Sequence, residues 1–192
     1  MSGAHFHVHG PHDHEVEHVA AHAAPDSFAG RIAVTTAILA TVGAMFAYEA
    51  GATQAAAMLF KNNAAISKTE ASNQWNYYQA KSSKQNIAEL GAQLIAGERG
   101  EKFAQDVERY KNEKVDIQKK AEALEADSKA WDDKSEATMH LHHRWAQATT
   151  VLQVAIALAA IALLTRKRWL QYGVYGVSTL GVGLGLAALA HL

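Results

Sequence analysis

The chain has 192 residues, 49% of them hydrophobic, a formal net charge of −1 and no cysteine. The near-zero charge argues against nucleic acid as a partner, because a phosphate-binding surface needs a basic excess. The lack of cysteine excludes disulfides, thiol chemistry and cysteine-ligated metal, and leaves the redox compartment open.

A mean hydropathy of −0.14 averages two unlike regions. Apolar stretches run roughly over 32–60, 146–164 and 172–192, whereas residues 61–145 hold 14 Lys/Arg and 14 Asp/Glu. Both prolines, Pro11 and Pro25, precede the first apolar stretch. A proline inside a helix costs about 3 kcal/mol, so a proline-free run from Asp26 onward permits very long helices. With abundant alanine and few β-branched residues, the expected class is all-α. A helix needs around 20 mostly apolar residues to cross a bilayer core about 30 Å thick. Three such stretches predict three transmembrane helices, with a long antiparallel helical, coiled-coil hairpin between the first and second.

Residues 1–27 read as a His-rich flexible tail containing His5, His7, His9, His12, His14, His18 and His22. About 30 polar residues with no basic region precede the first apolar stretch, unlike a cleaved signal. The first transmembrane helix is expected over 28–57, capped by Asp26 or Ser27. Gly43, Ala47, Gly51 and Ala55 recur every fourth position, a spacing that lets helix backbones approach closely in lipid.

The hairpin is expected over 58–145, turning at 97–100, where Gly97-Glu98-Arg99-Gly100 reads as a turn. Downstream, Phe103, Val107, Tyr110, Lys114, Ile117, Ala121, Leu124, Ser128 and Trp131 alternate spacings of four and three, the signature of a heptad seam. Upstream, Leu59, Asn63, Ile66, Glu70, Asn73, Tyr77, Ala80, Lys84, Ile87, Gly91 and Leu94 do the same. Folding back at the turn makes Leu94 face Phe103, Ile87 face Tyr110, Ala80 face Ile117, Asn73 face Leu124 and Ile66 face Trp131. One register satisfies all five layers. It also sets Glu70 against Ser128 and Lys84 against Lys114, and two lysines in one layer are a fault. A seam this thin favours packing within an oligomer. Each arm would extend roughly 55–65 Å at 1.5 Å per residue.

One unbroken helix is expected from about Glu101 to Thr165, its last part the second transmembrane helix at 146–165. Trp145 and Trp169 bracket that segment, as tryptophans do at membrane interfaces. A basic loop over 166–171 leads to the third transmembrane helix at 172–192, where Gly181 and Gly185 form a GxxxG pair. The short Arg166-Lys167-Arg168 loop places itself and the N-terminus in the cytoplasm and the hairpin outside.

Four sets of residues carry potential chemistry. The seven tail histidines offer imidazoles for zinc, nickel or copper, though without a fixed ligand spacing; the blander reading is a polar tail with incidental metal affinity. Glu49 is the only acidic residue in an apolar stretch, and an intramembrane carboxylate suggests an ion or proton path. It stands about 27 Å along the helix from Arg31, so the blander reading is an interfacial carboxylate. His140, His142, His143 and Arg144 form either a sensor or a polar belt beside Trp145. Trp75, Tyr77, Tyr78 and Trp131 fit seam packing better than a ligand cage. There is no phosphate loop, no GxSxG and no HExxH, and no enzyme is expected.

The run Ala71-Ser72-Asn73-Gln74-Trp75-Asn76-Tyr77-Tyr78-Gln79-Ala80-Lys81-Ser82-Ser83-Lys84-Gln85 resembles the signature of a bacterial family of unknown function numbered 4337. So do the runs His143-Arg144-Trp145-Ala146 and Leu163-Leu164-Thr165-Arg166-Lys167-Arg168-Trp169-Leu170. The resemblance extends from about Phe28 to Leu192. It implies a bacterial membrane protein with a coiled helical insertion, and brings no activity.

The expectation is therefore an oligomeric scaffold or interaction protein of the bacterial inner membrane, with the lipid bilayer and further copies of itself as partners. The alternatives are a subunit of an ion channel or transporter, with Glu49 on its path, and a metal-responsive membrane sensor using the tail.

Overall fold

The structure, a computed structural model, describes residues 28–190. It contains helix α1, Phe28–Leu94, of 67 residues, helix α2, Glu98–Thr165, of 68, and helix α3, Arg168–Leu189, of 22. No strand occurs among the described residues. The His-rich tail lies outside them. The expected boundaries at 57/58 and 145/146 meet no break in the backbone. Each long helix has more than three times the roughly 20 residues that cross a bilayer core. Neither is a simple membrane span.

Both connections are tighter than expected. The first occupies residues 95–97 rather than 97–100. Gly97 alone supplies the left-handed backbone, at φ 78°, a conformation natural to glycine. Gly100 already belongs to α2, and it is buried so closely that a Cβ there would strike the Ile95 carbonyl. α2 therefore starts at Glu98, earlier than the expected Glu101. Glu98 and Glu101 stand in its first turn, where the helix dipole favours anions. The second connection is Arg166-Lys167 rather than 166–171, because α3 begins at Arg168.

Contacts divide the chain into two units. One joins the described residues up to Gln54 with those from Met139 on; the other is Ala55–Thr138. In the first unit α2 supplies a fully buried ridge, Ala148, Leu152, Ala155, Ala159 and Ala162. Ile32 and Leu39 of α1, and Leu170 and Val174 of α3, pack on it. The buried hydroxyls of Thr36 and Ser178 donate to the carbonyls of Ile32 and Val174 one turn back, which satisfies them without a partner helix.

In the second unit α1 and α2 run antiparallel. The α2 seam is the expected one: Ile117 and Ala121 are buried, and Tyr110, Leu124, Ser128 and Trp131 are half-buried. The α1 seam lies one residue further along than expected. Ala57, Ala64, Ala71 and Ala88 are buried on it, with Phe60, Tyr78 and Lys81 half-buried between. Leu59, Ile66, Tyr77, Ile87 and Leu94 all face outward, Leu94 being 75% exposed. Hence Phe103 packs on Gly91, where a Cβ would sit 2.9 Å from the ring, and not on Leu94. Trp131 stacks on Phe60 at 5.7 Å, not on Ile66.

Small residues on α1 bring the backbones close enough for α2 side chains to bond across. Ser128 and Ser135 donate to the carbonyls of Ala64 and Ala57, each at 2.9 Å. The expected lysine clash disappears with the shift. Lys84 is exposed, and Lys114 Nζ lies 5.0 Å above the Tyr78 ring, an attractive cation–π arrangement. Glu70 is exposed, and Ser128 has the Ala64 carbonyl in its place.

Candidate functional site

The first unit holds an open groove of about 1000 Å³ between α1, α2 and α3. Phe46, Trp145 and Gly185 line its inner part; Met45, Tyr48 and Glu49 belong to its α1 side. The Phe46 and Trp145 rings lie 5.3 Å apart and tilted at 50°, a favourable aromatic geometry. The fit is tight where α3 arrives. A Cβ at Gly185 would collide with the Phe46 ring, and one at Gly181 would lie 2.7 Å from Leu152 Cδ2. These two glycines are where α3 approaches its neighbours most tightly.

The α1 residues singled out in sequence do not share one packed face. Gly43 is buried, 3.9 Å from Leu152 for an added Cβ, whereas Ala47, Gly51 and Ala55 are exposed. A four-residue series drifts about 40° around the helix at each step. The contact face instead follows Gly43, Phe46, Ala50, Thr53 and Ala57, alternating three and four. Trp145 is 5% exposed, held against Phe46, Ala50 and Ala188. It packs in the core, whereas Trp169 is 66% exposed.

Glu49 is exposed and contributes the carboxylate of the groove. His142 Nδ1 lies 2.8 Å from the Ala50 carbonyl. Since a carbonyl only accepts, Nδ1 must carry a hydrogen there. Its ring is 5.4 Å from that of His143, while His140, His143 and Arg144 point outward. Among the described residues no three of His, Asp and Glu gather as metal ligands.

In the second unit the aromatic residues engage cations and one another. Lys81 sits between the rings of Tyr77 and Tyr110, at 5.2 and 5.3 Å, and bonds Glu113. The bond to Glu113 and then that to Tyr77 raise the lysine pKa, and the bond to Lys81 lowers that of Glu113. Trp75 meets Tyr78 edge-on at 5.7 Å. Sequence reasoning missed this ring-and-lysine lattice because it paired Lys114 with Lys84. The clue available was the heptad spacing of Tyr78, Lys81 and Gln85 beside the one chosen.

The described residues are all-helical, with three helices, each long and apolar enough over part of its length to cross a membrane. The chain belongs to the family described as a domain of unknown function, DUF4337, matched over residues 28–191. No curated protein and no solved structure matches it.

Proposed function

We propose that this chain is an oligomeric scaffold or interaction protein of a bacterial membrane. The apolar segments of α1, α2 and α3 cross the bilayer, and Ala55–Thr138 forms a helical, coiled-coil hairpin in water. The observation that carries the proposal is the change of character within single unbroken helices. In α2, 21 of the 41 residues from 98 to 138 are charged, and none of those from 146 to 165 is. Water and lipid are the two solvents such halves require.

A structural rather than conducting role fits the interior of the first unit. Its buried side chains are apolar apart from Thr36 and Ser178, which bond within their own helices. Glu49 is on the outside. The Arg166-Lys167-Arg168 segment, together with Arg31, favours a cytoplasmic location for that end, and the hairpin then lies on the outer side.

Light scattering of the purified chain in lipid nanodiscs tests the assembly; a defined oligomer is expected, and a clean monomer defeats the reading. Resistance of the membrane-bound protein to alkaline carbonate tests the spans. A reporter fused after Leu192 should be active only outside the cytoplasm.

A further inference from the structure

The outward face of α1 in the second unit carries a seven-residue repeat of its own. Leu59, Ile66, Ile87, Leu90 and Leu94 supply its apolar positions. Asn62, Thr69, Asn73, Asn76, Ala80 and Ser83 fill the rest. Spacings of three and four alternate without a break, and all eleven residues are exposed and uncharged. At 3.6 residues per turn this stripe lies about 200° around the helix from the seam that holds α2. Among the described residues it faces nothing.

Three of the six charges on this part of α1 are drawn to the other side. Lys61, Lys68 and Lys81 bridge across the seam to Asp132, Glu125 and Glu113 of α2. Only 6 of the 40 residues from 55 to 94 are charged, against 21 of 41 from 98 to 138. One arm of the hairpin has a solvated outer face and the other a neutral one with large apolar residues at heptad positions.

We infer that this stripe docks a second copy of the same chain, parallel and in register. Its polar positions select that occupant. Asn73 and Asn76 facing an apolar partner would leave buried amides unsatisfied, which is unfavourable. Facing their own counterparts they bond to each other, as asparagines in heptad seams do when they fix register. In the same register each leucine and isoleucine meets itself. A neutral face does not repel its copy, and five heptads exceed the three to four that sustain a coiled coil. Parallel direction follows from two chains inserted the same way into one bilayer, and so rests on the membrane reading proposed above.

The absence of cysteine makes the test clean. Ile66→Cys and Ile87→Cys, each alone in the full chain, change exposed side chains; Lys119→Cys on the exposed face of α2 is the control. Disulfides need Cα atoms within roughly 7 Å. Mild oxidation in nanodiscs should therefore link Ile66→Cys to itself and Ile87→Cys to itself, several-fold above the control. Linkage only when the two variants are mixed would reveal antiparallel copies and overturn the arrangement. No linkage in a preparation that light scattering shows to be oligomeric overturns the choice of face and leaves the oligomer standing. A monomer overturns both.

Discussion

The glycines of α3 separate into two kinds by what a single methyl group would meet. At Gly181 and Gly185 it would meet Leu152 and Phe46; at Gly173, Gly176 and Gly183 it would meet nothing within 4 Å. Overpacking of this sort typically costs about 1–3 kcal/mol, whereas filling an open helical glycine gains up to about 1 kcal/mol in propensity. Gly185→Ala should therefore lower the thermal midpoint of the detergent-solubilised protein, and Gly183→Ala should hold or raise it. Equal midpoints would mean that Phe46 swings away freely. The first connection gives a second contrast. Gly97→Ala forces a left-handed alanine, about 1–2 kcal/mol uphill, and Gly100→Ala drives a methyl into a main-chain carbonyl, which moves less easily than a side chain. Both should loosen the hairpin, with Gly100→Ala the worse, read as faster proteolysis near residues 95–97. The GxxxG pair was legible because its spacing coincides with the face that packs. Of the α1 series Gly43, Ala47, Gly51 and Ala55, only Gly43 is packed within the described chain. Only the three-and-four alternation keeps residues on one side of a long helix, and only Gly43 of that series obeys it here.

Between helices, the α2 seam was readable and the α1 seam was not, for one reason. In α2 the large residues, Phe103, Tyr110, Ile117, Leu124 and Trp131, are the seam. In α1 the buried positions of the seam are Ala57, Ala64, Ala71 and Ala88, and the large residues Leu59, Ile66, Tyr77, Ile87 and Leu94 face out. A bulky row needs a shallow row opposite, so choosing the larger residue at each step on both arms was bound to err on one. The correct register also sets the electrostatics. Lys81 pairs with Glu113 only in this alignment. The lysine pKa is raised from 10.5 and that of the glutamate lowered from 4.5, each chiefly by their mutual hydrogen bond. A depressed carboxylate stabilises the fold above its unfolded pKa and loses that contribution as pH falls through the folded one. A raised lysine stabilises below its unfolded pKa and loses the contribution as pH rises through the folded one. The pair thus acts across the neutral range and fails at both extremes. Glu113→Gln should melt below the wild type at pH 7, by the modest margin of a partly exposed pair. The gap should close on acidification below the carboxylate range. A gap independent of pH would assign the loss to packing around Tyr77 and Tyr110 instead of charge.

At the scale of the whole chain, two helices of nearly equal length are held in step by pairs distributed along the second unit: Gly91 with Phe103, Lys81 with Glu113, Ala64 with Ser128, Ala57 with Ser135. Seven residues are one heptad, so removing a heptad from both arms at matched positions leaves every other pair intact. Deleting residues 65–71 together with 121–127 should give a chain that folds, inserts and melts close to the wild type. Deleting 65–71 alone keeps small residues at seam positions but offers Ala57 to the place Ser128 needs and Lys61 to Glu125. It also shifts the apolar segment of α1 by about 10 Å along the helix axis, out of step with that of α2. On the proposed membrane reading, charged residues of one arm would then meet lipid while the other arm is still apolar, a misplacement of about 2.5–3.5 kcal/mol per charge at the centre of a span. The single deletion should therefore aggregate or be degraded on expression, and the matched double deletion should rescue it. If the single deletion were as stable and as well inserted as the double, the pairs across the seam would not be what keeps the helices in step, and the register would have to be set at the 95–97 turn alone.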